Sequence, residues 1–233
     1  MLTEYVPGQI WLKEYPIQYM GTRFNARMTV IRLPDGRLIV HSPCAMDTET
    51  KTSLDAVGQV AFIVAPGNFH YLHIESAQAA FPQAETFICP GLERKRPDLK
   101  FDWILGDRPD PRWQGTIEHR LVRGTRIIWE VAFLHVPSRV LILVDLLENI
   151  TDRTPGVNWQ LKFWFKPIFR MWNRPKAAPE YQVGWGDRQA AGKSLEEILA
   201  WDFSRIVLAH GDLIESDAKA ILREAWKTPL ARA

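Results

Sequence analysis

A chain of 233 residues, 46% hydrophobic and 24% charged, can bury a substantial core and is not the composition of a disordered protein. Its formal charge of +2, with Arg94-Lys95-Arg96 as no more than a short solvated cluster, gives no electrostatic case for nucleic-acid binding. Cys44 and Cys89 lie far apart and form no CxxC pair, which argues against a zinc knuckle or redox motif and predicts two small packed side chains. No apolar run reaches the ~18 residues of a spanning helix. The opening MLTEYVPGQIW has an acid and a proline where an export signal has a basic start and an apolar run, so a cytoplasmic location is expected. Ten tryptophans point to aromatic-lined surfaces or pockets.

In chain order, residues 9–12 read as a short strand, and residues 28–33 and 38–41 as a hairpin around Pro34-Asp35-Gly36-Arg37. A helix is predicted over 48–56, stopped by Gly58, then a buried strand over 60–64 and a helix over 74–81, ended by Pro82. Residues 86–89 form another short strand, and 90–112 a polar connection. Residues 113–122 read as a strand in which His119 sits among polar neighbours and is expected to be exposed. Two buried strands come next, over 127–134 and 139–147, joined at His135-Val136-Pro137-Ser138. The segment 158–172, NWQLKFWFKPIFRMW, mixes basic and aromatic residues. It is ranked first as an excursion packed on the domain, second as a lid over a pocket and third as a membrane-surface contact. Ser194 with Glu197 three residues on predicts a helix start; residues 205–209 form a strand, and 216–226 the final helix.

The chemistry-bearing residues gather in loops that come after buried strands. Asp145 lies in or at the end of an apolar run, where a carboxylate requires a cationic partner or a set of donors. His135, one strand-length upstream, offers itself through a shared metal, while the plainer reading makes one a turn residue and the other a cap. His70 and His73 sit at a strand-to-helix junction, where three-residue spacing on a helix brings both imidazoles to one face; alternatively one of them packs against the apolar face. His210 occupies the same station after a strand as His70 and Asp145, with Gly211 beside it to permit close backbone approach. His41 reads as structural, and Ser42 as a residue at the edge of a site.

Residues 38–43 (LIVHSP), the strand-loop-helix of 62–82, the block 130–139 (EVAFLHVPSR), Asp145, and Trp201-Asp202-Phe203 leading to 208–212 (LAHGD) carry a resemblance over nearly the whole chain. Together they resemble the metallo-β-lactamase-like hydrolase superfamily, and within it a branch known as a domain of unknown function. The resemblance implies an α/β fold, an αββα four-layer sandwich of two mixed β-sheets flanked by helices. It implies one domain over 1–233 with an aromatic-rich excursion at about 155–193, and metal ligands in loops along one edge. By position His135 resembles the third-motif histidine, Asp145 the bridging carboxylate and His210 the last histidine. The first motif, HxHxDH, is degenerate: in a gapless register Pro66, Asn68, His70 and Tyr71 take its places, and in a register shifted by two Asn68, His70, Leu72 and His73 do.

The same resemblance implies a metal-dependent hydrolase that uses a metal-activated water on a small-molecule ester, lactone, amide or phosphoester. His70, His135, Asp145 and His210 are then the ligands of one divalent ion, zinc before manganese or iron, with His73 as a fifth ligand or an orienting neighbour. His70 and Asp145 carry the catalytic role. Glu130 and Asp212 would accept the second ring protons of ligand imidazoles, and Ser42 and Arg139 would edge the pocket. The alternative is a non-catalytic metal-binding or ligand-sensing module that kept the fold after its first motif decayed. No oligomeric state is implied.

Overall fold

Apolar residues that alternate along strands buried on both faces set the layering, which the computed structural model describes over residues 1–231. The first sheet takes seven strands in chain order: β1 (Thr3–Val6), β2 (Ile10–Tyr19), β3 (Thr22–Arg32), β4 (Arg37–His41), β5 (Gln59–Ala65), β6 (Glu85–Ile88) and β7 (Trp103–Ile104). Its first four strands pair antiparallel, and β4 through β7 run parallel. In the second sheet the order is β11 (Arg205–Leu208), β10 (Val140–Leu143), β9 (Val131–His135), β8 (Ile117–Leu121). There β10 and β11 are parallel and the other pairs antiparallel, so both sheets are mixed.

Because successive side chains leave a strand on opposite faces, each apolar strand feeds two cores. Ile39, Phe62, Val64 and Phe87 meet Val131, Phe133, Val140 and Ile142 between the sheets. Leu38, Val40, Val60 and Ile63 face outward onto α1 (Thr48–Val57) and α2 (Ile74–Ala80), with Leu92 of the short α3 (Leu92–Lys95) in the same cluster. The short α4 (Trp159–Phe163) belongs to the excursion. Beyond it, α5 (Pro179–Gly184), α6 (Arg188–Leu199) and α7 (Ala218–Ala225) cover the outer face of the second sheet, where Tyr181, Leu195, Ile198 and Leu222 pack on Leu134, Leu141, Leu143 and Leu208. The last helix among the described residues is α8 (Lys227–Leu230), preceded by Trp226, which donates its indole N–H to Leu146 O at 2.7 Å. The result is the αββα sandwich, two mixed sheets flanked by helices.

Several expectations change. The short strand expected at 9–12 is the ten-residue β2, preceded by β1, and β2 and β3 form a long hairpin that turns at Met20-Gly21, both at positive φ. His119 is buried, not exposed: it shares the inward face of β8 with Ile117 and Leu121 and packs against Trp113 and Phe133, and burial lowers its pKa to about 4. Ser194 lies inside α6, which starts earlier at the Asp187 cap; its hydroxyl bonds back to Ala190 O at 2.9 Å and accepts Arg123 N–H. Cys44 and Cys89 are free and buried, as expected. No helix among the described residues is long and apolar enough to cross a membrane.

The excursion packs on the end of β3. Leu161, Phe165, Met171 and Trp172 bury against Phe24 and Ile150, while Trp159, Phe163 and Trp164 stay exposed. Both parallel sets, β4 to β6 and β10 with β11, end at one edge of the sandwich, and the loops after β5, β10 and β11 meet there.

Candidate metal centre

His70 reaches the edge through a loop locked in place. The Asn68 side chain accepts Trp129 N–H at 2.9 Å and donates to Ile127 O at 3.1 Å, and Pro66 O accepts Val131 N–H at 2.7 Å. The His70 ring then meets Ser42 Oγ through Nδ1 at 2.7 Å; Ser42 follows β4 directly with φ at +53°, an unusual backbone state for a residue with a side chain. Asp145 comes after β10, and its loop closes over the buried Glu130 carboxylate, which accepts the N–H groups of Val144 (2.7 Å), Asp145 (2.8 Å) and Leu146 (2.8 Å). His210 comes after β11. Its Nδ1 pairs with Asn25 O at 3.0 Å, Phe24 meets the ring edge-on, and the buried Arg27 donates to the carbonyls of Leu208 and Gly211 on either side.

The three side chains converge. Nε2 of His70 lies 3.3 Å from Asp145 Oδ1 and 3.3 Å from Nε2 of His210, and the latter lies 3.5 Å from Oδ1. Bonds of ~2.0–2.2 Å at tetrahedral angles give ligand-to-ligand edges of about 3.3–3.6 Å, so this triangle fits one face of a tetrahedral metal site. The donor chemistry agrees. Asn25 O can only accept, so the neutral His210 ring keeps its proton on Nδ1 and turns the Nε2 lone pair to the triangle, and the Ser42 hydroxyl can serve His70 in the same way. Asp145 Oδ2 is buried with no hydrogen-bond partner among the described residues. Burial alone would raise the Asp145 carboxyl, but the imidazoles of His70 and His210 hold it well below the usual carboxylate range. Burial opposes a proton on His210, yet Asp145 and then Glu148 outweigh it and raise its pKa. Two imidazoles and a carboxylate therefore form a buried cation-attracting cluster.

His135 does not join it. His135 pairs with Val140 at the start of β10, and Asp145 lies five residues beyond, about 16 Å along the strand. Since β9 and β10 are antiparallel, the loop after β9 lies at the opposite edge from the loop after β10; His135 bonds Ser138 Oγ at 2.6 Å there, and burial lowers its pKa to about 4. His73 also stands apart. It is the residue before α2, not within it, so the helical spacing to His70 is not realised, and its ring packs edge-on against Tyr15 at 5.5 Å. His41 is structural, buried against Phe133. Glu130 binds backbone and not an imidazole, and Asp212 accepts the hydroxyls of Thr151 and Thr154. Of the edge candidates, Ser42 touches His70, whereas Arg139 pairs with Asp202 at the far side.

The cluster lies in the wall of a cavity of about 350 Å³ whose lining includes Tyr15, Phe69, Lys95, Glu148 and Glu180. Lys95 donates to Asn68 O at 2.6 Å and lies 4.0 Å over the Phe69 ring. Glu148, pushed up to about 8 by burial, leaves Oε2 without a partner among the described residues. Neither stands out in the sequence, because Lys95 reads as part of a solvated run and Glu148 as an ordinary residue after a strand. The one clue to Glu148 is its spacing of three from Asp145 just past an apolar run.

Solved structures share this fold at low identity. A DIM-1 metallo-β-lactamase exposed to ceftazidime superposes with a TM-score of 0.67 at 12% identity, covering 97% of each chain. A metallo-β-lactamase from Pontibacter korlensis gives 0.65 at 11%, covering 100% of this chain and 97% of the other. The mono-zinc form of FIM-1 from Pseudomonas aeruginosa gives 0.64 at 8%, covering 100% and 93%. No curated protein matches the chain. Residues 7–179 match the family described as "Domain of unknown function (DUF4336)", and the chain belongs to that family.

Proposed function

We propose that the protein is a metal-dependent hydrolase with a single divalent ion, zinc before manganese or iron, held by His70, Asp145 and His210. The observation that carries this reading is the triangle of two Nε2 atoms and one Oδ1 with edges of 3.3, 3.3 and 3.5 Å. Bound there, the ion would supply a Lewis acid and lower the pKa of a water molecule toward neutrality. One ion is favoured because further ligands are scarce. In the gapless register Pro66 and Asn68 stand where the first motif would offer histidines to a second ion, and His135, at the third-motif place, lies at the opposite edge of the sheet. The chain's own residues do the positioning. Ser42 and Asn25 O orient the imidazoles, Glu130 holds the loop of Asp145, and the aromatic walls Tyr15, Phe24 and Phe69 exclude water from one side of the cluster. Lys95 at the cavity wall can hold an anionic group of a small ester, lactone, amide or phosphoester substrate.

The test counts metal and turnover together, in protein purified without chelator. About one ion per chain is expected, lost in His70→Ala and His210→Ala and retained in His135→Ala, with metal-dependent turnover of a panel of generic esters, lactones, amides and phosphodiesters. Retention of the ion without turnover would make the protein a metal-binding module instead. Two tightly held ions, or loss of metal in His135→Ala alone, would overturn the ligand set.

A further inference from the structure

A second cavity, of about 210 Å³, adjoins the first and shares Tyr19, Phe24, Glu148 and Glu180 with it as common walls. Its remaining lining is mainly apolar and comes from the excursion: Leu161, Trp164, Phe165 and Phe169. The backbone explains why so many rings face one space. Pro167 has no N–H to offer, and residues Trp164–Ile168 form a π-helical turn closed by Phe169 N–H to Trp164 O at 3.0 Å. The widened turn points Trp164, Phe165 and Phe169 into the chamber, while Asn158 caps the preceding helix by accepting Leu161 N–H at 3.1 Å.

Glu148 stands between the two cavities. It is 5% exposed, and Oε2 has no partner among the described residues, a costly state for a buried carboxyl oxygen unless something enters to donate to it. An apolar chamber alone could be a packing defect of the excursion. A chamber that opens past an unpartnered polar group onto a cluster of two imidazoles and a carboxylate has the arrangement of a ligand site, apolar for the most part with a few convergent polar groups.

We propose that this chamber is a tail subsite: it takes the aliphatic or aromatic part of an amphiphilic substrate, with a hydrogen-bond donor of that molecule at Glu148 and its polar end at His70, Asp145 and His210. Only the last placement rests on the metal-centre reading. The substrate class thereby narrows from any small ester or amide to one with a hydrophobic chain or ring next to its polar linkage.

The probes are n-alkyl hydroxamic acids of two to ten carbons, titrated by calorimetry into the metal-free and the zinc-loaded full-length protein. Each added methylene should tighten binding by about fourfold in both forms until the chamber is full. Trp164→Ala, which removes a half-exposed wall, and Leu161→Trp, which fills the chamber, should both flatten that dependence while leaving acetohydroxamate binding to the zinc-loaded protein unchanged. Trp164 is 43% exposed, so its variant should fold even if the filled one does not. Affinity independent of chain length in both forms, or a chain-length dependence that survives Trp164→Ala, would overturn the tail subsite. Chain-length dependence without any gain from zinc would uphold the chamber and count against the metal centre alone.

Discussion

Replacing Glu130 by glutamine tests whether the metal centre is held from behind. The carboxylate receives three backbone N–H groups at 2.7, 2.8 and 2.8 Å, with Oε2 taking two of them and Oε1 one. Burial and the neighbouring Asp145 raise its pKa and the three N–H groups lower it, to a balance of about 8; three donors converging on two oxygens favour the charged form. In Glu130→Gln the amide oxygen can keep the two donors at the Oε2 place. The amide nitrogen then meets Val144 N–H donor to donor. One charge-assisted bond is lost and one buried N–H is orphaned, a cost of about 2–4 kcal/mol. Because the orphaned N–H belongs to Val144, the residue next to Asp145, the carboxylate should also shift, and loss of such an outer support typically weakens metal binding by about 10–100-fold. Denaturant unfolding measures the first effect and competition with a chromophoric chelator the second. A Glu130→Gln protein within about 1 kcal/mol of wild type that binds zinc as tightly would show that Asp145 is positioned by something else.

Two further perturbations probe the frame of the site. His41, His119 and His135 have pKa values lowered by burial to about 3, 4 and 4, so in this range they are neutral when folded and charge on unfolding. Between about pH 6.5 and 4 the unfolded chain binds more protons. Stability should therefore fall as pH drops through that window, by about 3 kcal/mol per histidine at pH 4. His119→Leu should remove about one proton's worth of the slope in pH-dependent unfolding, and an unchanged slope would refute the assignment. Gly211→Ala should cost about 2–5 kcal/mol and weaken metal binding, because φ is +86° and a Cβ would fall 2.2 Å from Asn149 O beside His210; a variant as stable as wild type by thermal unfolding would contradict this.

Legibility of the fold tracked burial. The strands β4, β5, β10 and β11 are apolar on both faces and bounded by breakers, so their runs stand out in the sequence. The outer half of β2 does not, because β1 pairs only with residues as far as Leu12, and beyond that β2 is an edge whose residues are half-exposed and include Pro16. In α6 two start signals compete. Asp187 wins over Ser194: its side chain accepts Ala190 N–H, and the small Ala191 lets this first turn lie flush against the backbone at Gly124, where an added Cβ would sit 2.7 Å from Ala191 N.

At the site, His70, Asp145 and His210 share a local signature that the topology honours: each lies in the loop after an apolar strand, and those strands end at one edge. His135 carries the same signature and lies at the other edge. The deciding information is not local, but it is present in the spacing. Parallel neighbours need a crossover of about a dozen residues, and only Val136-Pro137-Ser138-Arg139 separate His135 from Val140, so the two strands had to be an antiparallel hairpin. A hairpin reverses the chain, so a group just after its second strand has as its neighbour the group just before its first. That position is Glu130, the residue immediately before β9, fully buried in a sequence that otherwise runs apolar. A charged residue there needs donors as much as Asp145 does, and the backbone around Asp145 provides them. Pairing the two ends of the hairpin thus accounts for both buried carboxylates at once: one faces the imidazoles, and the other holds it there.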